Sequence, residues 1–302
     1  MIEVENLSKR YGDKVAVDGL SFAVKPGQVT GFLGPNGAGK STTMRMIMGL
    51  DRPGGGRATI GGRSYRDLRE PLRRVGALLD AAGLHKRRSA YNHLLWLAQT
   101  NRIPKTRVRE VLRLVGLEDA ARQRAGGFSL GMAGRLGIAA ALLGDPPVLL
   151  LDEPVNGLDP EGVLWIRTLL NDLAAEGRTV LVSSHLMSET ALTAQHLIVI
   201  GRGRLIADTS VREFVRSAAP SHVRVRTPEP ERLRDVLAAA GFPVKQASDG
   251  ALEVYEAEAD KVGELAAAHG VPVYESAVRT ASLEEAFMRL TGEDVEYRGG
   301  GR

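Results

Sequence analysis

Eight consecutive residues, Gly34-Pro35-Asn36-Gly37-Ala38-Gly39-Lys40-Ser41, fit the spacing G-x-x-x-x-G-K-[ST]. In that pattern the glycines let backbone N–H groups converge on a phosphate chain, and the helix that follows presents its positive end. The lysine adds a point charge near the outer phosphates. Ser41 is the residue type that ligates Mg²⁺ at this position, and Thr42 can add a phosphate contact. A second pair, Asp152-Glu153, ends the apolar run Val148-Leu149-Leu150-Leu151. Two adjacent carboxylates there suit a division of labour: Asp152 holds Mg²⁺ through its water shell, and Glu153 polarises an attacking water.

These side chains can act together only if strands and helices bring them together. Val29 to Leu33 is a short apolar run that leads into the glycine loop, and Lys40 to Met48 carries Met44, Ile47 and Met48 at helical spacing. Val75 to Leu79, Val148 to Leu151, Val180 to Val182 and Leu197 to Ile200 are continuous apolar runs, as expected of strands buried on both faces of a parallel sheet. Ala90 to Thr100, Val108 to Val115, Leu130 to Leu143 and Gly162 to Ala175 supply the helices between them. Residues 1–218 are therefore predicted to form one α/β domain with a helical insertion from about 85 to 145.

Charge divides the chain. Residues 1–220 carry 30 basic and 21 acidic groups, and residues 221–302 carry 10 and 15. The sign changes just after Ala218 to His222, where a proline sits among small polar residues, so a small α+β accessory domain is predicted over 219–302. Its expected strands are Val223 to Arg226, Pro243 to Lys245, Leu252 to Tyr255 and Val271 to Tyr274. Helices are expected at Glu231 to Ala240, Lys261 to His269 and Leu283 to Leu290. The order βαββαβ is that of a ferredoxin-like split unit, with Gly299 to Arg302 a frayed tail.

Composition removes whole classes. At 302 residues, 43% hydrophobic and 25% charged, the chain is neither disordered nor fibrous. It has no cysteine, which excludes disulfide scaffolds, thiolate zinc sites and cysteine nucleophiles. The richest apolar stretch, Leu136 to Leu151, is broken by Gly144, Asp145, Pro146 and Pro147, so no membrane span is expected. The first residues lack the basic start and apolar centre of a secretory signal, which predicts a cytosolic protein. His85, His93, His196, His222 and His269 show no metal-ligand spacing. The run His85-Lys86-Arg87-Arg88 reads either as a solvated charge run or as a face toward a membrane-embedded partner or anionic lipid.

With the phosphate loop and the carboxylate strand in place, the chain resembles the ATP-binding subunit of an ABC transporter across about residues 1–215. It is most similar to the drug-export, doxorubicin-resistance-like type. Further elements carry the resemblance. Tyr11 sits where the family stacks a ring on adenine. Phe128-Ser129-Leu130-Gly131-Met132, followed by Arg135, resembles the signature sequence. Gly157-Leu158-Asp159 resembles the loop through which partner cassettes communicate, and His185 in Ser183-Ser184-His185 resembles the switch histidine at the γ-phosphate. Asp145-Pro146-Pro147 resembles the lead-in to the carboxylate strand. Asp80 occupies the hinge position that usually carries glutamine, where it could ligate Mg²⁺. Leu130 and Met132 also depart from the pattern, standing where glycine and glutamine are usual; a signature glycine allows close backbone approach to phosphate.

The resemblance implies a P-loop cassette that binds ATP and Mg²⁺ and hydrolyses ATP, with Glu153, His185 and Lys40 catalytic. Gly34 through Thr42, Tyr11, Asp80, Ser129, Gly131 and Asp159 would contact nucleotide, and Ser41, Asp152 and Asp80 the metal. One chain holds one phosphate loop and one signature, which implies an ATP-sandwich homodimer. A separately encoded integral-membrane permease is the implied second partner. That places the protein on the cytoplasmic face of the membrane, driving export of a drug or antibiotic, with no nucleic acid expected. The last helix, Ser282 to Gly292, resembles the ending of drug-export cassettes. The alternative reading is a soluble ABC ATPase acting on ribosomes or nucleic acid; the basic balance of residues 1–220 is its one support.

Overall fold

The computed structural model describes residues 1–80, 83–218, 221–279 and 282–291. They make two compact units, Met1–Val211 and a second beginning at Arg212. In the first unit the chain runs β1 (Ile2–Tyr11), β2 (Lys14–Val24), β3 (Gln28–Leu33), α1 (Lys40–Ile47), β4 (Gly55–Ile60), β5 (Val75–Leu78), α2 (Ala90–Thr100), α3 (Lys105–Leu114) and α4 (Leu130–Leu142). It continues through β6 (Val148–Asp152), α5 (Pro160–Ala175), β7 (Thr179–Ser183), α6 (Met187–Thr193), β8 (His196–Gly201) and β9 (Arg204–Ser210).

A six-stranded sheet in the order β5-β6-β7-β3-β8-β9 is parallel except for the β8–β9 pair. Its central strands are continuous apolar runs because both faces are covered: Phe32, Leu33, Leu150, Leu181 and Ile198 are completely buried. A second, antiparallel sheet, β2-β1-β4, lays Ile2, Leu7, Leu20 and Val24 on the same core as Phe32, Met44, Ile47 and Leu150. The order of the first sheet makes β6, β7 and β3 neighbours. The phosphate loop, the Asp152-Glu153 pair and the segment after Ser183 therefore meet at the carboxyl ends of adjacent strands, where α/β sheets bind ligands.

The helical insertion is tied to itself by its own backbone. Ala90 N donates to Gln123 O at 3.1 Å, Tyr91 N to Ala121 O at 2.9 Å, Ala125 N to Arg88 O at 2.9 Å and Gly126 N to Lys86 O at 2.9 Å. The segment entering α2 and the segment approaching α4 thus form one frame.

From Val211, the last residue of the first stretch, α7 (Val211–Ala218) leads into the second unit, which continues through β10 (His222–Arg226), α8 (Pro230–Ala239), β11 (Val244–Gln246), β12 (Leu252–Tyr255), α9 (Ala259–Ala268), β13 (Glu275–Arg279) and α10 (Leu283–Thr291). Its antiparallel sheet has the order β11-β12-β10-β13, the arrangement of a ferredoxin-like split βαβ unit. Val223, Val225, Leu233, Leu237, Leu252, Val254 and Val262 form its core.

Two expectations shift. The last strand is Glu275–Arg279 rather than 271–274. Val271, 4% exposed, packs into the core as the chain leaves α9, so its apolar character marks packing and not pairing. The expected boundary at Ala218 to His222 includes positions 219 and 220, outside the described residues, as does the expected tail at 299–302; the division between units falls at Val211/Arg212. Among the described residues no helix is long and apolar enough to cross a membrane.

Candidate nucleotide-binding site

The loop between β3 and α1 is shaped by its glycines. Gly39, the residue before α1, has φ 105°, and a Cβ there would stand 2.4 Å from the Ala16 carbonyl oxygen. Gly34 is closed off in the same way, with the Ile200 carbonyl oxygen 2.5 Å from where a Cβ would be. Only glycine lets the backbone bend this tightly against two strands. No side chain caps the start of α1, so its first N–H groups carry the positive end of the helix dipole without a protein carboxylate or hydroxyl to satisfy them.

Above this end lies a cleft of about 410 Å³, lined by Tyr11, Lys14, Ala16, residues 36–42, Asp152 and Glu153. Its size falls within the usual range for small-molecule sites, roughly 300–1,000 Å³. Lys40 is 7% exposed, and its Nζ donates to the Gly34 carbonyl at 2.6 Å and to that of Pro35 at 3.3 Å. Burial pulls its ammonium below the ordinary lysine value, while the Glu153 and Asp152 carboxylates oppose that shift.

The carboxylates are held from β7. The Ser183 hydroxyl donates to Asp152 Oδ1. Glu153 N donates to Ser183 Oγ at 3.0 Å, so one serine fixes both residues. Glu153 itself has φ 51°, a left-handed conformation unusual for a residue with a Cβ. Its Oε2 lies 2.6 Å from His185 Nδ1 and accepts from the His185 backbone N at 3.4 Å. The arrangement is a carboxylate aimed by a serine and a histidine at a cleft that ends in a buried lysine.

Other predicted residues are placed more loosely. Tyr11 lines the cleft mouth, half-exposed, its hydroxyl donating to Asp51 Oδ2 at 3.0 Å. Partial burial raises its phenol above the usual value, and the Asp51 hydrogen bond adds to this. Asp80, Ser129, Gly131 and Asp159 do not line this cleft. Asp80 follows β5 and is exposed. Ser129 caps α4, accepting from Met132 N at 3.2 Å, and Asp159 caps α5, accepting from Gly162 N at 2.9 Å. Leu130 is 62% exposed and lies directly over Gly157, at the start of the Gly157-Leu158-Asp159 segment. Sequence reasoning missed Lys14 and Ala16 in the cleft wall, and the two-handed role of Ser183. Lys14 and Ala16 lie on β2, far in sequence from the loop, and no local pattern marks them.

A family model described as ABC transporter matches residues 17–156, and one described as a domain of unknown function matches residues 221–284. The chain is 36% identical over 300 residues to an uncharacterized ABC transporter ATP-binding protein, YhcH, of Bacillus subtilis, covering 98% of this chain and 97% of that one. The chain belongs to the ABC transporter ATP-binding proteins.

Two further members are similar over nearly their whole length. The bacitracin transport ATP-binding protein BcrA of Bacillus licheniformis is 35% identical, with 97% of each chain covered. The Nod factor export ATP-binding protein I of Burkholderia orbicola is 36% identical, with 98% of each covered. Among solved structures, an ATP-binding subunit of an ABC transporter matches with a TM-score of 0.66 at 28% identity, covering 72% of this chain and 92% of that one. A dimeric post-hydrolysis cassette bound to ADP and Pi matches with a TM-score of 0.63 at 25% identity, covering 70% of this chain and 98% of that one. As an ABC cassette the chain is an ATPase.

Proposed function

We propose that two copies of this chain close around two ATP molecules and pass that closure to a separately encoded integral-membrane permease, driving export of an antibiotic or similar solute. The observation that carries the reading is Glu153, aimed by Ser183 and His185 into the cleft that holds Lys40. The name of the Nod factor relative supports export, that of the bacitracin relative supports transport of an antibiotic, and the dimeric cassette supports pairing. Ser129, Gly131 and Asp159 stand away from the chain's own cleft, in keeping with their serving the nucleotide of the second copy. The protein then sits at the cytoplasmic face of the membrane through its permease.

The residues fit Mg²⁺ as well as ATP. Among the described residues there is no cluster of three metal-type side chains, and an ion that keeps its waters and takes ligands from phosphate needs only one or two. Ser41 and Asp152, which line the cleft, would hold it, and when bound it would neutralise charge on the nucleotide's phosphates.

The chain's own residues do the rest. The backbone of 36–42 binds the phosphates and Tyr11 stacks on the base. Lys40 exchanges its carbonyl contacts for phosphate oxygen. Glu153 accepts a hydrogen bond from the attacking water, and His185 keeps that carboxylate oriented and lies beside the γ-phosphate. Loss of that phosphate weakens the contacts joining the copies and favours opening, a population shift.

Purified Glu153→Gln should retain ATP and elute as a dimer with ATP and Mg²⁺, while its turnover falls about 10²–10⁴-fold. A variant that hydrolyses ATP at the parental rate removes Glu153 as the base. One that stays monomeric at saturating nucleotide, even with the permease, removes the sandwich.

A further inference from the structure

The helical insertion holds a second cleft, of about 800 Å³, which shares no lining residue with the nucleotide cleft. Arg87, Arg88, Arg109, Arg122 and Arg124 line it with a single acid, Glu118. That acid is already engaged, accepting two hydrogen bonds from Arg113 at 3.3 Å each. Among the described residues, none of the five lining arginines forms an ion pair. Five like charges around one concavity repel one another and focus a positive field into it.

The frame that carries them is rigid. Arg87 and Arg88 sit on the segment before α2, Arg122 and Arg124 on the segment before α4, and the backbone ladder between Lys86–Tyr91 and Ala121–Gly126 ties the two together. The eleven-residue α2 opens at the cleft. Its cap, Ser89, uses its oxygen to accept from Asn92 N at 3.2 Å, so its hydroxyl proton is not used in the cap. Arg88 lies over the Trp96 ring, 4.6 Å from its centre, which couples one guanidinium of the cleft to that ring.

Guanidinium groups match phosphate oxygens two at a time, and several converging arginines favour a ligand with more than one negative charge. The aliphatic lining is limited to Leu112 and Ala121, too little to anchor the apolar side chains of a docked protein segment. We propose that this cleft binds a phosphoryl anion bearing two or more negative charges, supplied either by an anionic lipid headgroup or by a soluble phosphate.

Trp96 provides the readout. In a Trp165→Phe background it is the sole tryptophan, since the chain has two. The experiment is run with saturating ADP, so that the nucleotide cleft is filled. One arm titrates inorganic pyrophosphate against Trp96 emission. The other measures co-sedimentation with phosphatidylcholine vesicles with and without cardiolipin. A saturable emission change with pyrophosphate supports the site with a soluble source. Cardiolipin-dependent sedimentation without a pyrophosphate response supports it with a lipid source.

In either case Arg122→Gln with Arg124→Gln should weaken binding roughly 30-fold, taking the usual contribution of a basic residue near an anionic surface for each. Arg63→Gln with Arg69→Gln, which removes the same charge from exposed positions that do not line this cleft, should change it less than about threefold. Unchanged ATP turnover in both pairs shows that the fold is intact. The proposal is overturned if neither probe binds, if the control pair weakens binding equally, or if polyglutamate saturates the Trp96 response while both phosphoryl probes fail.

Discussion

Two helices of the cassette begin at sequences tied to ATP, and they begin differently. α1 follows Gly39 in a left-handed turn with no side chain over its end; α4 follows Ser129, whose oxygen caps it. The first helix leaves its N–H groups to a ligand and depends on backbone shape. The second is satisfied locally, and the neighbouring α5 is capped in the same way by Asp159. The loop before α1 thus leaves donors open at some cost to its own fold, whereas the segment before α4 is satisfied within its own chain, as the proposed pairing of two copies requires. Leu130 reinforces this, covering Gly157 where the family's glycine would leave the backbone open.

Substitutions can break that contrast, in descending order of effect. Lys40→Ala should abolish productive ATP binding, measured by equilibrium dialysis, while Ser129→Ala should leave binding to the isolated chain unchanged. Gly39→Ala forces a Cβ into the Ala16 carbonyl at positive φ, and should lower the free energy of unfolding by about 1–3 kcal/mol in denaturant titration. Asp159→Ala removes only a cap. A loss of about 1 kcal/mol is expected, or a fall in melting temperature of about 2–4 °C, with ATP affinity of the monomer intact.

The smallest effect concerns His93 on α2, 7% exposed, its Nδ1 without a hydrogen-bond partner. Burial, with the nearby Arg88 and His85 charges, lowers its pKa from 6.5. The unfolded chain therefore takes up a proton, as pH falls below about 6.5, that the folded chain still refuses, so stability is lost on acidification. His93→Gln should flatten the slope of melting temperature between about pH 7 and 5, with the shift confined to that window.

Much of this was legible in the sequence because the decisive signals are local. The phosphate loop needs glycines at fixed spacing, and a strand buried on both faces needs an unbroken apolar run such as Val148 to Leu151. What was not legible depends on distant partners. β2 is interrupted by Gly19 at φ 63° and pairs with β1 through shifted registers, so its alternation is broken. β4 opens with Gly55-Gly56 and carries few apolar residues. The misplaced last strand has the same origin: Glu275–Arg279 is polar because it lies at a sheet edge, while Val271 just before it is buried for another reason. Asp159 was read for its place in a family loop, yet Asp159-Pro160 is also a helix-start signal, a cap followed by proline at the first helical position.

Glu153 holds its left-handed backbone at φ 51° whatever chemistry its side chain performs. Glycine adopts that conformation without strain, so Glu153→Gly should yield a chain that no longer turns over ATP yet melts at a higher temperature than the parent, as differential scanning calorimetry would show. A screen for heat resistance alone would therefore drift toward losing the carboxylate at this position.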